Sequence, residues 1–205
     1  MRFEGRSTAS GRPTAFIRRS SFDGIHSTEL IRPSSFDRAH SAALIEIDTG
    51  GFAVMYEIST EQRSEQTSAV VRQRVGMNEL DSFLASAFAE VGSVLAAQGL
   101  TPAGPPFGEY AFVEDGFDVA AGFPCSSTVM PAGRVEPLVL PGGSIASTLH
   151  IGAYDKISLA YQALADWLAS SHFIPSGAPW EYYLDGPDAP EPRTLVCFPF
   201  ESPNP

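Results

Sequence analysis

Apolar and polar residues alternate with recognisable periods only from Val54 onward. Val54–Ser59 reads as a short strand and Thr60–Gln66 as a polar loop. Ser68–Val75 follows as a strand, with Val71 and Val75 set among polar neighbours. Asn78, with Asp81 three positions on, is placed as the N-cap of a helix running to about Gln98. Leu80, Phe83, Leu84, Ala87, Phe88, Val91 and Leu95 recur at i, i+3, i+4 spacing, an apolar stripe that predicts burial. Gly99 supplies the helix stop. After a Pro/Gly loop, Phe107–Val113 and Phe117–Pro124 read as a hairpin turning at Glu114-Asp115-Gly116, and Ser126–Gly133 as a linker.

The pattern then repeats. Val135–Leu140 and Ser144–Ile151 form a hairpin around Pro141-Gly142-Gly143. A helix over roughly Asp155–Ser171 carries Ile157, Ala160, Tyr161, Leu164, Trp167 and Leu168 on one face. A loop leads to the strand Trp180–Leu184, and Thr194–Phe200 is the last strand. The two helix-to-strand loops match in wording, GLTPAGPPF against HFIPSGAPW. This implies an α+β fold from a duplicated βαββ unit, with halves at about 55–125 and 134–200. Two such units side by side make one antiparallel sheet with both helices on one face. The other face then meets water or forms a ligand cleft.

Residues 1–54 do not read as a domain. Ser, Arg, Gly and Thr dominate a low-complexity leader, expected to be disordered. Within it Ser20–Ile31 is echoed by Ser34–Ile45, eight of twelve positions matching at an offset of fourteen. Two short copies cannot stack into a solenoid. His26 and His40 recur with Asp23 and Asp37, but without further ligands they make no metal site.

Charge sharpens this division. Residues 1–54 hold seven Arg and six acids, net +1, and residues 55–205 hold the remaining six Lys/Arg and eighteen acids, net −12. Such a domain repels phosphate backbones, so no direct nucleic-acid binding is expected of residues 55–205. Cys125 and Cys197 match no metal or disulfide spacing. The start shows no secretory pattern and no apolar run approaches the ~18 residues that span a bilayer, so a cytoplasmic, membrane-free protein without cofactor is expected.

Candidate chemistry gathers at the strand Trp180–Leu184. Alternation sends Trp180, Tyr182 and Leu184 one way, and Glu181 and Tyr183 the other. The apolar set is expected under the helices, which leaves Glu181 and Tyr183 to the opposite, cleft face. Tyr154 at the strand-to-helix join and Tyr110 on the matching strand of the first half can reach the same space. His150 and Phe198 are further candidates. Aromatic walls around one carboxylate suit a flat, apolar, cationic ligand.

Six motifs carry a family resemblance: GPPF with Tyr110, FDVAAGFP, LPGG, HIGAY, AYQALADWL and WEYY. With them the chain from about Met55 to Phe200 resembles the GyrI-like small-molecule-binding domain, also called the AraC effector-binding domain, standing alone without a DNA-binding module. The resemblance implies a central cleft for hydrophobic, often cationic compounds. It also implies that Glu181 contacts the ligand and that aromatics such as Tyr154 line the cleft. Ala120 and Leu195 replace acids common in the family, which points to a ligand of lower positive charge, and Ala153 replaces a frequent Pro. Two alternatives follow from the same resemblance. One is a hydrolase that opens reactive cyclopropane rings, with Glu181 as base and Tyr183 beside it. The other is a protein partner, DNA gyrase, inhibited by contact.

Overall fold

The structure, a computed structural model, describes residues 42–48, 53–186 and 188–203. The first copy of the short repeat, and most of the second, lie outside the described residues. The second copy's last residues fall in a strand.

The chain runs β1 (Ala42–Asp48), β2 (Ala53–Arg63), β3 (Gln66–Val75), α1 (Leu80–Ala97), β4 (Phe107–Val113), β5 (Gly116–Pro124), β6 (Val135–Leu140), β7 (Gly143–Ile151), α2 (Ser158–Ser170), β8 (Ile174–Pro175), β9 (Trp180–Tyr183) and β10 (Arg193–Glu201). The strand order is β1-β2-β7-β10-β9-β4-β5-β3-β6, antiparallel throughout, and β8 pairs with the end of β10. The expected α+β architecture of two βαββ units is what forms, but the expected hairpin of Val135–Leu140 with Ser144–Ile151 does not: β6 pairs with β3, and β7 with β2 and β10, because the Pro141-Gly142 link carries the chain between opposite ends of the strand order. In each half the strand before the helix pairs with the last strand, β3 with β5 and β7 with β10. The halves meet where β4 pairs with β9, placing Gly108 directly opposite Glu181.

The duplication holds a constant register from helix end to central strand. Gly99 and His172 both take left-handed backbone angles, φ 69° and 60°, where their helices stop. At the same offset Phe88 matches Tyr161, Phe107 matches Trp180, Gly108 matches Glu181 and Tyr110 matches Tyr183.

Both helices begin one turn earlier than regular α-geometry, in short 3-10 turns at Met77–Glu79 and Tyr154–Lys156. Asn78 therefore lies inside a turn and is not the N-cap. Gly76 takes that place, its N–H donating to the Glu79 carboxylate at 3.1 Å. The apolar stripe of α1 falls where its periodicity puts it. Phe83, Ala87, Val91 and Leu95 are buried against Val71, Val119 and Ala121 of the sheet. α2 buries Ala160, Ala163, Leu164, Trp167 and Leu168 against Ile58, Ala146 and Val196. The segment Met77–Ala97 is long and apolar enough, by length and composition, to cross a membrane, so the expectation that none reaches that threshold fails. Its stripe is nonetheless packed on the sheet.

A third core lies on the sheet face away from the helices. It contains Val70, Phe107, Ala120, Leu140, Ile145, Trp180, Tyr182 and Cys197. The chain passes from β2 to β3 through Ser64-Glu65, and from β6 to β7 through Pro141-Gly142. These two short links tie one end of the strand order to the other, so the sheet must curl. At the corner the backbones nearly touch. A Cβ on Gly142 would sit 2.8–2.9 Å from the Glu65 nitrogen and the Arg63 carbonyl oxygen. The Arg63 guanidinium lies over the Tyr182 ring at 5.4 Å.

This reverses one expectation. Trp180 and Tyr182 do share a face, but it is the face away from the helices, which is filled with side chains. Glu181 and Tyr183 stand on the helix-bearing face. The physical reason is volume: curling gives the far face a core of its own, and Trp180 with Phe107 fills it. A cleft on that face is therefore excluded by packing.

Candidate functional site

α1 packs over β3, β5 and β6, and α2 over β1, β2, β7 and β10. The central strands β4 and β9 run between them. Their helix-side residues form a connected polar cluster on an otherwise apolar surface.

Glu181 is its centre and is 7% exposed. Tyr161 of α2 donates its hydroxyl to Oε1 at 2.7 Å, and Tyr183 donates to Oε2 at 3.1 Å. Tyr183 has one proton and gives it to Glu181, so its oxygen accepts from the Tyr110 hydroxyl in a very short contact. The chain of donation runs Tyr110 to Tyr183 to Glu181, with Tyr161 arriving from the other side. Among the described residues no Lys, Arg or His forms an ion pair with Glu181.

Gly108 makes this geometry reachable. A Cβ there would meet the Tyr110 hydroxyl at 2.8 Å and its ring at 3.0 Å. Without one, the Tyr110 ring lies across its own strand toward Tyr183.

Burial pushes the Glu181 carboxyl above the usual carboxylate range, and the two phenol donors offset this in part. The Tyr110 and Tyr161 phenols are pushed up by burial first and then by the Glu181 charge. Tyr183 is raised by burial, then by Tyr110 and Glu181. At neutral pH all three phenols keep their protons and act as donors. The cluster stabilises negative charge by hydrogen bonds alone, which is weaker than pairing with a cation.

Aromatic rings surround it. Phe88 of α1 meets Tyr183 edge-on at 5.9 Å between centroids, and Tyr154 meets the same ring at 6.1 Å. Phe198 packs edge-on against Tyr161 at 5.4 Å, and Phe112 at 6.3 Å. Phe112 is 67% exposed, an aromatic ring left at the rim.

Of the residues singled out from sequence, the structure brings together Glu181, Tyr183, Tyr110 and Tyr154, with Phe198 one ring further out. His150 stands apart. Its Nε2 faces the Ala153 carbonyl at 3.1 Å and therefore carries the proton, and Nδ1 accepts from the Tyr56 hydroxyl at 2.9 Å. His150 thus pins the join between β7 and α2. Ala120 and Leu195 belong to the far-face core, so neither changes the charge around Glu181. Tyr161, Phe88 and Phe112 were not singled out. The signal for Tyr161 was a hydroxyl on an otherwise apolar helix stripe. Among the described residues no group of three or more His, Cys, Asp or Glu could hold a metal ion.

The sequence profile of the GyrI-like small molecule binding domain matches residues 56–201. The chain belongs to the GyrI-like family. No curated protein sequence matches it. Among solved structures this GyrI-like domain superposes on the EcmrR C-terminal domain with a TM-score of 0.61 at 22% identity, covering 81% of this chain and 100% of that one. In the EcmrR–DNA complex the match has a TM-score of 0.63 at 22% identity and covers 72% of this chain; this chain spans 58% of EcmrR's length. SAV2435, solved bound to tetraphenylphosphonium, matches at TM-score 0.51 and 13% identity, over 70% of this chain and 93% of that one. A hydrolase from Listeria innocua matches at TM-score 0.51 and 11% identity, over 70% and 91%.

Proposed function

We propose that this GyrI-like domain binds small hydrophobic cations on its helix-bearing face, with the positive charge held against Glu181. One observation carries the reading: Glu181 is a buried carboxylate served by two phenol donors and, among the described residues, by no cationic side chain. Burying a carboxylate without a counter-charge is costly, and an incoming cation removes that cost. Rings at Phe88, Tyr154, Tyr161, Tyr183 and Phe198 offer flat apolar area and cation–π attraction of ~0.5–2 kcal/mol per contact. Tetraphenylphosphonium, bound by SAV2435, is a ligand of this type on the same fold. The net −12 of residues 55–205 adds long-range attraction for cations and opposes phosphate backbones. The domain is read as a sensor or a sequestering protein.

The test is calorimetric titration of tetraphenylphosphonium into the wild-type chain and Glu181→Gln. Saturable binding that Glu181→Gln weakens at least about tenfold supports the reading. Equal affinities in the two proteins overturn it.

A second reading has its own support. A buried carboxyl of raised pKa beside phenol donors is also an acid–base pair. In a hydrolase of strained cyclopropane compounds Glu181 would activate water while Tyr183 polarises the leaving carbonyl. The fold shared with the Listeria innocua hydrolase supports this variant. Product formation that is lost in Glu181→Gln would select it, and saturable binding without product selects the sensor.

A further inference from the structure

Thr194 of β10 lies opposite Tyr183 of β9 on one side and His150 of β7 on the other. Cross-strand partners project to the same face with Cβ atoms about 4.5–5.5 Å apart. Thr194 therefore stands on the helix-bearing face, in the row that continues from the phenol holding Glu181. It is 0% exposed, and among the described residues its Oγ1 meets no hydrogen-bond partner. Its neighbours are already committed. Tyr183 donates to Glu181 and accepts from Tyr110. His150 uses both ring nitrogens on Tyr56 and Ala153.

A buried hydroxyl without a partner bears its full desolvation penalty. Packing does not require a hydroxyl here. In the first half Val119 stands opposite Tyr110 as Thr194 stands opposite Tyr183, so a methyl in place of the hydroxyl fits this position in the fold. Glu181 pairs with Val196, which makes Thr194 its diagonal neighbour, roughly 7–8 Å away. That separation is between backbones; the Glu181 side chain extends over the same face, and two N–H groups of one planar or tetrahedral cation bridge acceptors about 5 Å apart.

The geometry points to Thr194 as a further binding residue, whose hydroxyl accepts a second N–H from the cation held against Glu181. The ligand class is thereby narrowed to primary ammonium, amidinium or guanidinium groups carried on a flat apolar body. Each Glu181 oxygen accepts one phenol and keeps a lone pair for the first N–H. Quaternary ammonium and phosphonium ions satisfy the carboxylate's charge but leave Thr194 unpaired. This rests on the reading that a cation sits at Glu181.

The test uses 4-phenylbenzylammonium, with three N–H groups, and 4-phenylbenzyltrimethylammonium, with none. Thr194→Val is expected to weaken the primary ion about tenfold and to leave the quaternary ion within about twofold, the size of one hydrogen bond to a charged group. The same substitution removes an unsatisfied hydroxyl, so the ligand-free Tm is expected to rise by about 2–4 °C. A purely structural threonine would lower it. Equal weakening of both ions, or none for the primary ion, overturns the assignment of Thr194 and leaves the Glu181 reading standing. Failure of both ions to saturate the wild-type chain overturns both.

Discussion

The two halves of this domain share one backbone plan and differ in what they place on it. Where the second half carries Tyr161, Glu181 and Thr194, the first carries Phe88, Gly108 and Val119. Only the tyrosines Tyr110 and Tyr183 are common, and their hydroxyls meet across the junction. Duplication supplied a two-fold frame, and the polar groups were then kept on one side of it. Electrostatics explains why. Residues 108 and 181 are direct cross-strand partners. Two carboxylates there would repel at close range in a buried site, whereas one carboxylate opposite a glycine leaves room for a phenol and for a ligand's charge.

The sharpest way to break this comparison is to restore the symmetry. Gly108→Glu introduces a Cβ where the Tyr110 hydroxyl lies and a like charge opposite Glu181. A loss of about 3 kcal/mol or more in urea unfolding is expected. A stable variant with doubled affinity for dications would show that the asymmetry is accidental.

Next in size is Glu181→Gln, expected to weaken tetraphenylphosphonium about 30-fold or more, the loss of a buried charge contact. Its pH dependence gives a second measurement. Below the ordinary glutamate pKa, about 4.3, Glu181 is protonated whether folded or not. Between there and its raised folded pKa the unfolded chain has lost a proton that the folded chain keeps. Ligand-free stability therefore falls as pH rises through that interval and levels off above it. Cation affinity moves oppositely, rising over the same interval as the carboxylate forms. Both trends should vanish in Glu181→Gln, read by thermal melts and titrations across pH.

A comparable effect separates the helices. Tyr161→Phe removes a charge-assisted hydrogen bond and is expected to cost about 1.5–3 kcal/mol in stability of the ionised site, seen as a further upward move in the Glu181 pKa. Phe88→Tyr, its mate in α1, should leave that pKa unchanged. The least effect belongs to Glu109→Gln. Glu109 neighbours Gly108 but pairs with Arg72 at 3.5 Å near the surface. Cation affinity within about twofold of wild type is expected there.

Much of this was legible in the residue pattern. The α1 stripe, the β4–β5 hairpin and the repeated loop wording each follow from local spacing, which is why the α+β duplication could be read directly. Alternation likewise separated Glu181 and Tyr183 from Trp180 and Tyr182. What it could not say is which set faces the helices. Both sets are aromatic, and the choice depends on the curl of the sheet, set by links between residues far apart in sequence. β1 was hidden for a related reason: Ala42–Asp48 gains a partner only when β2 lies beside it. Thr194 and Tyr161 were hidden because a hydroxyl's partners depend on cross-strand register and helix rotation. Glu61, Gln62 and Arg63 extend β2 beyond its apolar stretch because β7 pairs with them.

The filled far side of the sheet has one more consequence. Cys197 sits wholly inside it, and burial pushes its thiol up to about 12. Thiolate is the reactive form, so alkylation of Cys197 waits for this side of the sheet to open. The molecule thus carries its own clock for opening, read by mass spectrometry as the rate at which Cys197 gains the alkyl group.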